Sequence, residues 1–257
     1  MKERGLAART IIQARAVLGS ALRQAVAWGL IAVNPVTAVR PPKPERPRLV
    51  VPDDGQLQAL IVAAKGTLWE IPVLLSVSTG MRRSEVLAVR WVDVDLGTGR
   101  LRVTRTLQRL PSQDGQRPLG YLDPKTDRSR RQIVLPAFAI EALRGHKQEQ
   151  AERRVAHGPG WQNLGLICER GDGGVLDPDA YGKAFKRIAA HAGLPEKVRL
   201  HDVRHGVATT MLGRGVHPAI ASAVLGHASP GFTMAVYQHV LDGMTSQAAA
   251  AIQEALA

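Results

Sequence analysis

Apolar residues at Ile11, Leu18, Leu22, Val26 and Leu30 recur at helical spacing and predict a helix over 6–29. NPVTAVRPPKPERPRLVVP (34–52) then breaks the pattern, and its six prolines and several cations predict an extended linker. Beyond it, Asp53 is placed to cap a helix running to Lys65. Pro72 opens another helix through VLLSV, which Thr79-Gly80 ends. RRSEVLAVRW then predicts a further helix, with Thr79 or Ser84 near its cap.

The period next shifts to two. WVDVD (91–95) and RLRVTRTLQRL (100–110) alternate apolar and polar positions around LGTG, which predicts a hairpin. A polar stretch over 111–130 leads to a third strand, RQIVLP (131–136). From there the pattern is helical over 137–156, 178–192, 201–213, 217–226, 231–240 and 244–257, apart from LGLICER, which reads as a short buried strand. No internal repeat is visible. The expected fold class is α+β: a mainly helical domain with a small three-stranded antiparallel sheet.

Charge narrows the partner. Lys and Arg total 34 against 22 Asp and Glu, a net +12, which favours a polyanion because each neutralised phosphate releases counterions. With one cysteine, Cys168, neither a disulfide framework nor a four-cysteine zinc site is available, and its apolar context predicts packing. The N-terminus interrupts its apolar residues with Arg9, Gln13 and Arg15, unlike a signal peptide. No apolar run approaches the roughly 20 residues of a membrane helix. The expected location is the cytoplasm, in association with the nucleoid.

Four short stretches offer chemistry. In STGMRRSEVLAVRW, Arg82 stands at a helix start, where backbone donors favour an anion, or it is a surface arginine with Glu85 as solvated partner. In YLDPKTDRSRRQIVLP, Lys125 lies in a turn followed by Arg128, Arg130 and Arg131, a cation-rich projection or simply a solvated one. HDVRH (201–205) permits a metal pair or a cation pair on one helix face. The zinc-protease pattern needs Glu where Asp202 stands, and Arg204 between the histidines opposes a dication, so no metal is expected. Finally, AVLGHASPGFTMAVYQHVLDGM sets His227 ten residues before Tyr237, one of three tyrosines in the chain.

Together these stretches resemble the tyrosine recombinases, or phage-type integrases, whose pattern is Thr-Gly-x-Arg-x-x-Glu, a hairpin Lys, His-x-x-Arg, Leu-Gly-His and Tyr. Here they read Thr79-Gly80-Met81-Arg82-Arg83-Ser84-Glu85, Lys125, His201-Asp202-Val203-Arg204, Leu225-Gly226-His227 and Tyr237, in that order. One departure is Gly206, where the family usually carries Thr. The resemblance implies catalytic roles for Tyr237, Arg82, Lys125, His201, Arg204 and His227. Glu85 and His205 would support them, and Arg83, Arg128, Arg130 and Arg131 would contact DNA.

The implied function is site-specific DNA recombination that integrates or excises a mobile element through a 3′-phosphotyrosine, without cofactor. Double-stranded DNA is the implied partner, bound by a homotetramer on paired sites that is a monomer in free solution. A silent DNA-binding remnant and type IB topoisomerase-like relaxation remain alternatives. The implied division is a shortened core-binding segment (1–40), a basic linker (41–52) and a catalytic domain (53–257). So short a first segment is expected to weaken DNA binding. The tail 244–257 is expected either to dock on a neighbouring protomer or to pack within its own.

Overall fold

The structure is a computed structural model that describes residues 5–43, 50–111, 114–124, 129–226 and 253. The chain divides into two compact units, Met1–Leu49 and Val50–Ala257. In the first, helix α1 (Ala8–Ala27) is followed by a 3-10 turn, Pro35–Ala38. This turn corrects the expectation of a purely extended linker from residue 34. Asn34 is buried, accepting from Val36 N and donating Nδ2 to Gly19 O at 2.9 Å. Arg15 donates to the carbonyls of Val36 and Val39. Proline at the first turn position suits a backbone whose free carbonyls find an arginine on α1.

In the second unit, helix α2 (Asp54–Ala64) starts where expected. The Asp53 carboxylate accepts from Gln56 N at 2.8 Å, and Gln56 Oε1 accepts from Asp53 N at 3.1 Å. Helices α3 (Glu70–Thr79) and α4 (Arg83–Val86) follow, then strands β1 (Val94–Asp95), β2 (Arg100–Val103), β3 (Thr106–Arg109), β4 (Leu119–Leu122) and β5 (Arg131–Val134). Four helices complete the described residues: α5 (Ala137–His157), α6 (Pro178–His191), α7 (Leu200–Gly213) and α8 (Pro218–Leu225). The core packs α3 against α2, α5 and α7, with Leu75, Phe185 and Tyr181 fully buried. Tyr181 stacks on Trp69, and its hydroxyl shares a 2.9 Å hydrogen bond with Ser76. The fold class is α+β, as expected.

The three-stranded antiparallel sheet has the order β1-β2-β5, with Leu101 opposite Val94 and Ile133. Beyond expectation, β3 and β4 form a second, two-stranded sheet. RLRVTRTLQRL is therefore two strands. Its break falls where Thr104 donates to Asp93 and Arg105 donates to Ala88 O, turning both side chains out of the ladder. Strand β4 arises inside the polar stretch because Gly120 leaves room for Leu110. A Cβ at Gly120 would lie 2.3 Å from Leu110 Cδ1.

The helix expected over RRSEVLAVRW stops at Val86. The residues after it pair instead with 165–167, through Trp91 N to Gly165 O and Ile167 N to Val89 O. LGLICER thus forms isolated bridges at Leu166 and Glu169 around a buried Cys168, not a full strand. Burial pushes the Cys168 thiol pKa up, in line with a packing role. Gly206 also has a packing reason: a Cβ there would sit 2.7 Å from Pro52 O, so α7 approaches that backbone closely. The helix expected at 231–240 lies outside the described residues, as does that at 244–257 apart from residue 253.

The Asp53–Gln56 cap makes a direct prediction. Asp53→Ala should lower stability by about 1 kcal/mol with an unchanged urea m-value, measured by equilibrium denaturation.

Candidate active site

The site begins at the end of α3, where Gly80 adopts φ +63°, a left-handed conformation that terminates the helix. A Cβ at Gly80 would also meet Leu225 at 2.4 Å, so α8 can approach only a glycine here. The Gly80 carbonyl accepts from Arg204 Nη1 at 2.9 Å, binding this turn to buried α7.

Two residues on, Arg82 caps α4. Its backbone N–H donates to Glu85 Oε2 and its Nη1 to Glu85 Oε1, both at 2.8 Å, while its Nη2 donates to Gly226 O at 2.8 Å. From the other side, Arg131 donates Nη1 and Nη2 to the same carboxylate at 3.1 and 2.9 Å, and Nε to Val224 O at 2.6 Å. Glu85 is 1% exposed and the Arg131 side chain 6%. Burial alone would raise the Glu85 pKa, but the hydrogen bonds and charge of Arg131, with those of Arg82, hold its carboxyl below the usual range. Expected at the DNA surface, Arg131 is thus placed by the structure behind Arg82 as a partner of Glu85.

The same device recurs. Arg199 caps α7 with its N–H on Asp202 Oδ2 at 2.8 Å, and its Nε and Nη2 reach the same carboxylate at 3.1 Å. Arg90 and Asp93 repeat it at the 3-10 turn Trp91–Asp93. In each case a carboxylate three residues into the turn holds both the backbone and the guanidinium of the arginine that starts it. Arg199 was not singled out from sequence. The readable signal is Arg-x-x-Asp/Glu at a helix start.

Arg82, Arg199, His201 and Arg204 line one groove of about 970 Å³, with Lys186 of α6 and Leu107 of β3. Arg204 is buried, and its pKa is pushed down to about 9 by burial and then by the charge of Arg82, with Glu85 opposing. It remains a cation at neutral pH. Partial burial, then Arg204, push the His201 ring below its ordinary value, so it is neutral there and able to accept a proton. The His205 ring lies edge-on to His201 at 4.8 Å and is itself buried, its pKa lowered to about 4 by burial and then by His201. Asp202 faces Arg199, and among the described residues no three His, Cys, Asp or Glu side chains cluster as metal ligands.

The other expected DNA contacts separate. Arg83 donates to Pro178 O at 2.8 Å and lies 3.5 Å from Asp179, tying α4 to α6. Arg130 pairs with Asp123 at 3.3 Å, both well exposed. Lys125, Arg128, His227 and Tyr237 lie outside the described residues.

Residues 54–244 match the model of the phage integrase family. The chain belongs to the phage integrase family. It is 29% identical over 252 residues to an XerC-like tyrosine recombinase of Caldanaerobacter subterraneus subsp. tengcongensis, covering 93% of this chain and 64% of that one. To an integrase of Streptomyces ambofaciens it is 27% identical, covering 92% and 61%. The chain therefore spans under two thirds of the length of these two relatives. In fold it is similar to the Tn1549 transposon integrase bound to transposon right end DNA, at TM-score 0.79 and 21% identity, covering 100% of this chain and 82% of that one. XerA recombinase shares the fold at TM-score 0.62 and 20% identity, over 82% and 70%. Among the described residues, no helix is long and apolar enough to cross a membrane.

The packing of this groove makes two predictions. Gly80→Ala combines left-handed strain with the Leu225 clash and should cost about 2–4 kcal/mol, read as a lower urea midpoint. The His205 ring stays neutral in the folded protein down to about pH 4, while in the unfolded chain it titrates near 6.5. The unfolded state therefore takes up the proton first. Stability should be full above pH 6.5 and fall by up to about 3 kcal/mol as pH drops toward 4. His205→Gln should flatten that limb of the pH–stability curve.

Proposed function

We propose that this chain carries out site-specific DNA recombination, integrating or excising a mobile element by cleaving and rejoining strands through a 3′-phosphotyrosine. The observation that carries the reading is the meeting of Arg82, His201 and Arg204, from distant parts of the sequence, in one groove backed by Glu85. Guanidiniums held this way present paired donors to a tetrahedral anion.

In this reading the Tyr237 hydroxyl attacks the phosphorus, forming the Tyr–phosphate bond as the bond to the 5′-oxygen breaks. Charge on the non-bridging oxygens is met by Arg82 and Arg204, with His227 as a further donor. Neutral His201 takes the phenol proton, and Lys125 supplies one to the leaving 5′-oxygen. Glu85 acts through Arg82, fixing its guanidinium. His205 supports His201 by ring packing, and Arg199 adds a phosphate contact at the rim. The Arg82 to Gly226 bond matters because His227 is the next residue in the chain. The covalent intermediate keeps the energy of the broken bond, so no nucleotide cofactor is required.

Double-stranded DNA is the partner, contacted outside the centre by exposed Arg130 and by Arg128. The protein acts as a homotetramer on paired sites, is a monomer in free solution, and works in the cytoplasm at the nucleoid. Residues 1–40 serve as core-binding segment, 41–52 as linker and 53–257 as catalytic domain. The DNA-bound Tn1549 neighbour and the curated integrases support this reading.

With a nicked suicide duplex on a denaturing gel, the wild type should form a covalent adduct. Tyr237→Phe should form none while still binding DNA, and an adduct in that variant would remove Tyr237 as nucleophile. Arg204→Lys keeps the charge but loses the planar fork, so cleavage should fall about 100-fold or more in single-turnover assays. A rate equal to wild type would return Arg204 to a structural role.

A further inference from the structure

A second cavity, of about 670 Å³, is lined by Arg90, Arg102, Arg105, Arg130 and Arg131, with Asp123 as the one acid among the described residues. It adjoins the first site at Arg131, whose guanidinium rests on Glu85. The reading of the first groove makes no use of Arg90, Arg102 or Arg105.

The five arginines are not equally committed. Arg131 is held by Glu85, and Arg90 by Asp93 at 3.0 Å. The Arg130–Asp123 pair is exposed on both sides at 3.3 Å, so it holds little and is readily exchanged for another anion. Arg102 and Arg105 meet no carboxylate among the described residues. Among the described residues, Arg102 donates to Val92 O at 3.2 Å and Arg105 to Ala88 O at 2.9 Å, with its guanidinium 3.9 Å above the Tyr121 ring. Arg105 Nη2 is buried without an acceptor. Burial first, and then the nearby like charge of Arg90, push the Arg105 pKa down. Such crowding is costly in isolation and is relieved by a bound anion.

We propose that this groove is a second phosphate-binding site, in which Arg102 and Arg105, flanked by Arg90 and Arg130, hold the sugar–phosphate backbone of duplex DNA outside the reacting phosphodiester. The lining chemistry selects the backbone. Guanidiniums with Thr104 and Gln132 supply charge and hydrogen bonds, and no aromatic ring is among the described lining residues. The volume far exceeds one phosphate, which fits a run of backbone better than a free ion. Contacts of this kind carry no base readout, so they add affinity to any sequence and make it salt-dependent.

This site rests on the reading that the substrate is DNA. The test is fluorescence anisotropy of the 257-residue chain with a labelled duplex of arbitrary sequence, from about 50 to 200 mM salt. Arg102→Gln, on an exposed strand position, should flatten the log–log salt slope by about 0.9. Arg102→Gln with Arg105→Gln should flatten it by about 1.8, so that the double variant loses about twelvefold less affinity than wild type across that range. Arg105→Lys, which keeps the charge, should retain most of the slope. Arg144→Gln, an exposed arginine outside both grooves, is the control and should leave the slope unchanged. A wild-type slope in Arg102→Gln, with wild-type binding intact, overturns the second site and leaves the recombinase reading standing. A wild-type chain that binds no duplex at any salt overturns both.

Discussion

The Glu85 carboxylate is the interaction on which the rest of the site depends. It is 1% exposed, and a buried carboxylate is tolerated only when its charge and lone pairs are met. Glu85 is met four times, by the backbone and guanidinium of Arg82 and by two nitrogens of Arg131. Those two arginines reach on to the carbonyls of Gly226 and Val224 at the end of α8. One side chain thereby fixes the turn after α3, strand β5 and the end of α8 against one another. Removing one partner from so buried a set typically costs about 3–5 kcal/mol, because the remaining charge has nowhere to go. The fold gains a fixed direction for Arg82 from this.

The surrounding electrostatics follow from the same economy. The groove brings Arg82 near Arg204, and burial first, then the repulsion of Arg82, lower the Arg204 value to about 9. Glu85 offsets part of that repulsion from behind. His201 is kept neutral by partial burial and then by the same positive field, which suits a proton acceptor. At the rim, Asp202 does for Arg199 what Glu85 does for Arg82, with Arg199 largely exposed, so the outermost cation is oriented without being buried. A helix start with its cap carboxylate is a compact way to aim an arginine.

Much of this was readable in the chain, and the failures are instructive. Periodicity and capping residues located α1, α2, α3, α5, α6, α7 and α8, although α1 buries only Gly19. The order of Arg82, Glu85, His201 and Arg204 was readable because it resembles the motif pattern of the tyrosine recombinases. Residues 104 and 105 broke an apparently continuous strand because their partners, Asp93 and Ala88, are tertiary and invisible to alternation. Strand β4 was hidden by Gly120, whose role is to admit Leu110. Arg131 reads as one of a run of surface cations, and only the long-range pairing of β5 with β2 and its contact with Glu85 take it inside. The turn at Pro35–Ala38 was masked by prolines that usually mean extended chain.

The central claim is that Glu85 serves the chemistry by orienting Arg82. A double-mutant cycle in single-turnover cleavage of a nicked suicide duplex tests it most directly, using Arg82→Gln, Glu85→Gln and the pair together. If Glu85 works through Arg82, the double variant should cleave about as slowly as the slower single variant, because the second change removes an orientation that no longer matters. Losses that multiply, as for independent groups, would contradict the account.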